Sequence, residues 1–302
     1  MSIYVEIPIR GSIDELWRLT QTPDQHVRWD LRFTDIEYLP RPDETQPQQF
    51  LYATRIGFGL AIKGKGETVG QHDGKNGEKT SALKFWSDDP KSLIREGAGY
   101  WRYVPTGDHI RFFTSYDYRV RFGAVGRFFD RIVFRPLLGW ATAWSFDRLR
   151  LWVEKGIDPA LSMDRSLMHL IARIAIAFVW LYQGAVPKLL HQHPDELAMI
   201  QQAGIAATSA PMALQVVGSC EVAFGLVMLV FFRQRWHFIL TFLLMIAATI
   251  GVTLHSSHYL AAAFNPISLN LLMMALALVG YVSSKDLPTA RHCLRQKPKE
   301  EK

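Results

Sequence analysis

The sequence predicts an α+β domain, an antiparallel sheet with helices on one side and a long helix at its end, followed by an all-α bundle of four transmembrane helices. Three observations predict it. Apolar and polar residues alternate through much of the first part of the chain, four long apolar segments follow from Leu167 onward, and the basic residues gather at the ends of those segments. The mean hydropathy of +0.02 averages a polar half and an apolar half, so composition has to be read by region. At 302 residues there is room for two units, the first long enough to bury its own core.

Alternation is plain in Ile3–Ile9 and recurs in Phe50–Ile62, Ser81–Trp86, Gly99–Val104 and His109–Val120. Turn clusters at Asp73–Gly77 and Pro105–Asp108 separate these strand signals. Ser12 followed by Glu15 has the spacing of a capping box, and Ile13, Leu16, Trp17 and Leu19 make a short amphipathic helix. Gly57, Gly59, Gly64 and Gly66 lie in strand-like alternation with no helix start after them, which describes a twisted hairpin or bulge rather than a nucleotide loop. The segment Gly126–Gly139 places Arg127, Arg131 and Arg135 at i, i+4 and i+8 among Phe128, Phe129, Ile132, Val133 and Phe134, with Pro136 expected to kink it. That pattern fits a helix lying in the headgroup layer, and equally a core helix whose arginines cover the edge of the sheet.

The apolar segments are Leu167–Val186, Ala213–Phe232, Trp236–His255 and Asn265–Ser283. Each is close to the ~20 residues a helix needs to cross ~30 Å of hydrocarbon. Arg148, Arg150, Lys155 and Arg165 precede the first, Arg233 and Arg235 lie between the second and third, and Lys285, Arg291, Arg295, Lys297, Lys299 and Lys302 follow the fourth. The opposite loops hold only Lys188. By the positive-inside rule both termini and the soluble domain face the cytoplasm, as expected of a multi-pass protein of the inner membrane. The same distribution assigns the net charge of +6 to membrane edges and leaves no nucleic-acid partner. The opening residues carry no basic region leading into an apolar one, so a cleaved signal peptide is not expected. Two cysteines, Cys220 and Cys293, exclude a disulfide framework. The expected division is 1–155 soluble, 156–165 linker, 166–285 membrane and 286–302 basic tail.

Ionisable groups inside a span are expensive and are functional candidates by default. With a rise of ~1.5 Å per residue, Arg173 lies ~9 Å inside the cytoplasmic boundary and Glu221 ~16 Å from it. Their side chains lean toward their own N-termini on oppositely running helices, so they diverge. Arg173 is therefore expected to snorkel to the cytoplasmic interface. Glu221 is expected in the outer half near Gln183, Thr249 and Asn270, either as part of a ligand site or as a residue fixing helix packing. His191 and His193 with His255 and His258 lack a recognised zinc spacing, and no metal is expected. His193-Pro-Asp-Glu instead has the form of a helix start with Gly204 as its stop. No Gly-x-Ser-x-Gly, Walker or His-Glu-x-x-His pattern occurs. Asp30, Asp35, Glu37 and Glu67 have no partner identifiable from spacing and are expected on solvated surface.

Two resemblances add to this. Ile7-Pro-Ile-Arg-Gly-Ser-Ile-Asp-Glu-Leu-Trp17, Trp29-Asp30 and Trp144-Ser-Phe-Asp-Arg-Leu-Arg150 resemble the helix-grip, START-like superfamily (SRPBCC) of polyketide cyclases and lipid-transfer domains. The resemblance implies a sheet wrapped around the long helix with an apolar ligand cavity between them. Trp180-Leu-Tyr-Gln-Gly-Ala-Val-Pro-Lys-Leu-Leu190, His193-Pro-Asp-Glu-Leu197, and Glu221 followed by Gly225 resemble the DoxX-like family of small four-span membrane proteins. Its namesake is a membrane subunit of a thiosulfate:quinone oxidoreductase, which implies a quinone as the one candidate cofactor. The leading expectation is a membrane-tethered protein whose cytoplasmic domain binds a hydrophobic small molecule, lipid- or quinone-like. The alternatives are an accessory subunit of a quinone-linked oxidoreductase with a site near Glu221, and an enzyme of unknown reaction in the soluble domain. Partners are the lipid membrane and either a second copy, through close helix packing, or a respiratory-chain protein.

Overall fold

The computed structural model describes residues 2–298 except Pro42, Glu44, Phe58 and Phe264, and the side chain of Lys75. Lys299 and Lys302 of the basic tail lie outside the described residues. The chain divides into two compact units, Met1–Ser162 with Pro288–Lys302, and Met163–Leu287.

The first unit is a seven-stranded antiparallel sheet with helices: β1 Ile3–Ile9, β2 Asp35–Tyr38, β3 Gln49–Gly57, β4 Leu60–Asp73, β5 Lys79–Trp86, β6 Ile94–Thr106 and β7 His109–Val120, in the spatial order β1-β7-β6-β5-β4-β3-β2. Helices α1 (Ile13–Gln21) and α2 (Pro23–Trp29) fill the connection from β1 to β2. Ser12 caps α1, its side chain accepting from the Asp14 N–H. After β7 the chain turns at Phe122, φ 64°, into α3 (Gly123–Phe129), a π-helical turn (Asp130–Phe134) and α4 (Arg135–Lys155). Pro136 falls in the first turn of α4, where a missing N–H is tolerated, and the π-turn before it takes up the irregularity. Under α4 the core is aromatic: Trp29, Trp101, Phe112 and Phe146 are buried, with Phe112 stacked on Phe146 at 4.5 Å.

Two strand assignments differ from expectation. Phe50–Ile62 is a hairpin of β3 and β4, and β4 runs on to Asp73. The extension was hidden because its inward positions are Gly64 and Gly66, which leave no apolar signal to alternate. The four residues of β2 are too short and polar to show.

The segment after the membrane helices, expected as a tail, packs into the first unit. Leu294 exchanges both backbone hydrogen bonds with Glu6 on the open edge of β1, each 2.9 Å. Cys293 is buried in the core and donates to the Ala143 carbonyl. Asp147, wholly buried on α4, accepts from the Thr289 N–H at 2.7 Å, from Arg150 at 2.7 Å and from the His292 ring at 3.0 Å.

The second unit holds the four apolar helices. The helical chain from α5 (Pro159–Gln183) through a π-helical turn (Gly184–Leu190) is the first, followed by short α6 (Pro194–Gln202), α7 (Ala210–Val230), α8 (Trp236–His255) and α9 (Pro266–Ser283). All four are long and apolar enough to cross a membrane. The first begins earlier than expected, so most of the supposed linker is helix. Asp158 accepts from the Ala160 N–H and Pro159 opens the first turn, a start signal that hydropathy does not register. Small residues set the crossing of α7 with the first helix. A Cβ at Gly218 would lie 2.9 Å from the Gly184 carbonyl, and one at Gly184 would lie 2.6 Å from the Gly218 carbonyl.

Candidate functional site

In the first unit the core-facing side of the sheet is paved by rings lying on glycine. Phe50, Gly66, Phe85, Gly97 and Tyr118 pair in register across β3 to β7. A Cβ at Gly66 would sit 2.3 Å from the Phe50 ring and one at Gly97 would sit 2.4 Å from the Phe85 ring. Only a hydrogen there lets each ring lie flat over its neighbour strand. Phe50, Tyr52 and Phe85 are half-buried, whereas the rings under α4 are closed off. The space beneath the helix, where the resemblance implies a cavity, is thus filled by Trp29, Trp101, Phe112 and Phe146, and the accessible aromatic surface lies over β3 to β5.

A polar head stands at the edge of this floor. Helix α2 ends at Trp29 and delivers Asp30, whose carboxylate is wholly buried. Arg32 folds back onto it, Nε to Oδ1 at 2.9 Å and Nη2 to Oδ2 at 2.6 Å, while the Arg32 backbone N–H donates to Oδ1 and the His26 Nε2 lies 3.0 Å from Oδ2. The guanidinium lies over Phe33 at 5.5 Å and Tyr116 at 5.6 Å, and Phe33 meets the Tyr52 ring at 5.6 Å. The loop is pinned to α4, because Ser145 accepts from the Leu31 N–H and Arg148 donates to the carbonyls of Trp29, Arg28 and Pro159. Burial would raise the Asp30 carboxyl, but Arg32 and then His26 outweigh it and hold it well below the ordinary carboxylate range. Burial also pulls His26 below its ordinary value, against the opposing pull of Asp30. The head is therefore a carboxylate–guanidinium pair with a neutral imidazole. It supplies hydrogen-bonding groups beside an apolar floor, and among the described residues no nucleophile is set against a base there.

Asp30 corrects the sequence expectation, being buried rather than solvated, while Asp35 and Glu37 are exposed and Glu67 is half-buried. The cue was its neighbour Arg32, too close in sequence for a spacing argument to weigh. Of the three arginines expected at an interface, Arg127 and Arg131 are exposed. Arg135 is not part of that stripe. It bonds Asp130 at 3.0 Å and Asp117 at 3.1 Å and lies over the Tyr118 ring at 4.4 Å, because the π-turn rotates it back onto the sheet.

In the membrane unit Glu221 has a cation. Lys188 Nζ lies 3.1 Å from Glu221 Oε2, 3.3 Å from Glu196 Oε1 and 3.4 Å from the Gln183 carbonyl. The cause is Pro187. A proline cannot donate to the carbonyl four residues back, so the bonding shifts by one residue, the helix widens into a π-turn, and Lys188 is turned inward. Close packing at Gly184 and Gly218 then brings Glu221 against it. Lys188 is 8% exposed, not a loop charge, and the proline beside it is the sequence signal for its inward turn. Asn270 and Thr249 form a separate pair, Nδ2 to Oγ1 at 3.1 Å, and among the described residues no hydrogen bond joins them to Glu221.

Arg173 does not snorkel. It is wholly buried and donates to the carbonyls of Met228 at 2.6 Å, Phe231 at 3.3 Å and Gln234 at 2.7 Å, between the rings of Phe232 and Phe238. Its lean toward its own N-terminus was foreseen, but the end of α7 meets it there with unpaired carbonyls. His169 sits one turn before Arg173, its Nε2 3.3 Å from Arg173 Nε and 3.2 Å from the Phe232 carbonyl and its Nδ1 3.4 Å from the Gly280 carbonyl.

A seven-stranded antiparallel sheet with helices is joined to four helices able to cross a membrane, and residues 177–278 match the model of the DoxX-like family. Among curated proteins the chain is similar to the "Uncharacterized membrane protein YndG" of Bacillus subtilis, 47% identical over 183 residues, which are 60% of this chain and 68% of that one. It belongs to the DoxX-like family on that likeness. Among solved structures it is similar to the Zhui aromatase/cyclase of a Streptomyces species, with 9% identity, 52% of this chain and 97% of that one covered, and a TM-score of 0.38. It is also similar to a STAR-related lipid transfer protein of Xanthomonas axonopodis, with 13% identity, 51% and 86% covered, and a TM-score of 0.38. A third is truncated norcoclaurine synthase of Thalictrum flavum, with 19% identity, 51% and 94% covered, and a TM-score of 0.35.

Proposed function

We propose that this chain is a membrane-anchored binding protein whose helix-grip unit holds a hydrophobic small molecule, lipid- or quinone-like, on the aromatic floor of β3 to β5. The observation that carries the reading is the half-buried row of rings laid on glycine, with the Arg32–Asp30–His26 head at its edge. A flat apolar body would cover Phe50, Tyr52 and Phe85, and a polar end would reach the head. The basic residues at one set of helix ends support a cytoplasmic placement of this unit. The packing of Leu294 against β1 supports a common side for both ends, since segments before and after the four helices belong to one folded unit and an even number of crossings joins them.

The test is mass-spectrometric identification of small molecules retained by the full chain in mild detergent. The expected result is an apolar species that falls several-fold in Phe85→Ala, with the fold kept by near-ultraviolet circular dichroism. Equal retention in Phe85→Ala, or nothing retained, would overturn the reading. A species lost in Lys188→Met but kept in Phe85→Ala would favour the second reading, a quinone-linked accessory role at the Lys188–Glu221–Glu196 cluster.

A further inference from the structure

The surface formed by α3, the π-turn and the first turns of α4 is apolar and uncovered. Phe122 is 58% exposed, Val125 77%, Phe128 68%, Ile132 57% and Leu137 56%, and Trp140 ends the series at 42%. These residues recur at helical spacing along one side, so they form a continuous strip rather than scattered surface residues. The backbone is committed to showing them. Gly126 and Asp130 point inward, Asp130 accepting from Tyr118 at 2.6 Å and from Arg135 at 3.0 Å, which fixes the opposite side outward.

The charge on this strip has one sign. Arg127 and Arg131 are exposed, one helical turn apart, and among the described residues neither has an acidic partner. The one acid between Arg121 and Trp140 is Asp130, which is buried and paired. Aromatic and aliphatic side chains edged by unpaired arginines match the two layers of a bilayer surface, acyl chains below and anionic headgroups above. A folded protein partner would need acids facing Arg127 and Arg131. A second copy of this strip presents none and would set like charges together.

We propose that this strip inserts shallowly into a bilayer surface bearing anionic lipid, with Phe128 and Ile132 among the acyl chains and Arg127 and Arg131 on the headgroups. The site is distinct from the ligand floor, so its failure leaves that reading standing. The experiment uses the full chain in lipid nanodiscs made of phosphatidylcholine alone or with phosphatidylglycerol. An environment-sensitive fluorophore is attached at Phe128→Cys, with Cys220→Ser removing the exposed native thiol. The expected result is a blue-shifted emission quenched by brominated lipid when phosphatidylglycerol is present, and loss of both in Arg127→Glu/Arg131→Glu. Emission that stays water-like and iodide-quenchable in both lipid mixtures would overturn the proposal. So would a blue shift without quenching by brominated lipid, since protein would then cover the strip.

Discussion

Arg32 in the first unit and Arg173 in the second are both guanidinium groups lying over aromatic rings, and they are held by opposite means. Arg32 is clamped by a carboxylate that is itself buried. Arg173 has no acid among the described residues and is held by three carbonyl oxygens at the end of α7 and by two rings. In hydrocarbon a carboxylate partner would itself have to be desolvated, whereas a helix C-terminus already offers unpaired oxygens and the negative end of its dipole. Arg173 therefore reads as a fixed joint between helices. Lys188 contrasts with both, since it lies between two carboxylates at a turn that Pro187 has already loosened. If any charged group in the bundle responds to a ligand or a proton, this surplus of acid over base marks where.

The largest effect that would break this comparison comes from Arg173→Met. Three carbonyls would lose their donor at once, and the detergent-solubilised chain should lose about 3 kcal/mol or more in reversible unfolding. Arg173→Lys should recover part of that, because an ammonium reaches fewer of the oxygens. If Arg173→Met unfolds like the parent, the carbonyls are satisfied by other means and the joint is not one.

Next in size is the coupling between Lys188 and Glu221. The double-mutant cycle built from Lys188→Met and Glu221→Gln should give an interaction energy of about 1 kcal/mol, favourable in the parent. A value near zero would mean that Glu196 alone serves Lys188 and that Glu221 stands free for another partner.

How much of this was legible follows from which interactions are local. The four membrane helices were readable because hydrocarbon thickness fixes their length, and β1, β5, β6 and β7 were readable because their inward residues are apolar. Strand β4 was not, since Gly64 and Gly66 face inward and the rings that fill their space come from β3. The fate of Arg173 depended on where α7 ends, some fifty-five residues on. Lys188 was hidden for a different reason. Hydropathy puts it at a boundary, and only the π-turn at Pro187 explains why it turns inward. The docking of Cys293 and Leu294 onto the first unit had no local signal at all, since a short apolar pair in a basic segment looks the same whether or not an open strand edge awaits it.

The smallest expected effect is also the one that reports the charge of the ligand head. His26 is pulled below its ordinary value in the folded chain, so below about pH 6.5 the unfolded chain binds a proton that the folded chain does not. Stability of the first unit should be fully present above that point and decline as pH falls through it. Other histidines titrate in the same range, so the informative quantity is the difference between the parent and His26→Gln, followed by thermal unfolding from about pH 7.5 down to about 5.5. The parent should lose stability faster on acidification than the variant. The opposite slope would mean that pairing with Asp30 beats burial and that His26 is an imidazolium in the native state. The head would then carry a net positive charge and select an anionic group on its ligand. With His26 neutral, Arg32 and Asp30 cancel, and the floor is matched to a molecule whose polar end is uncharged.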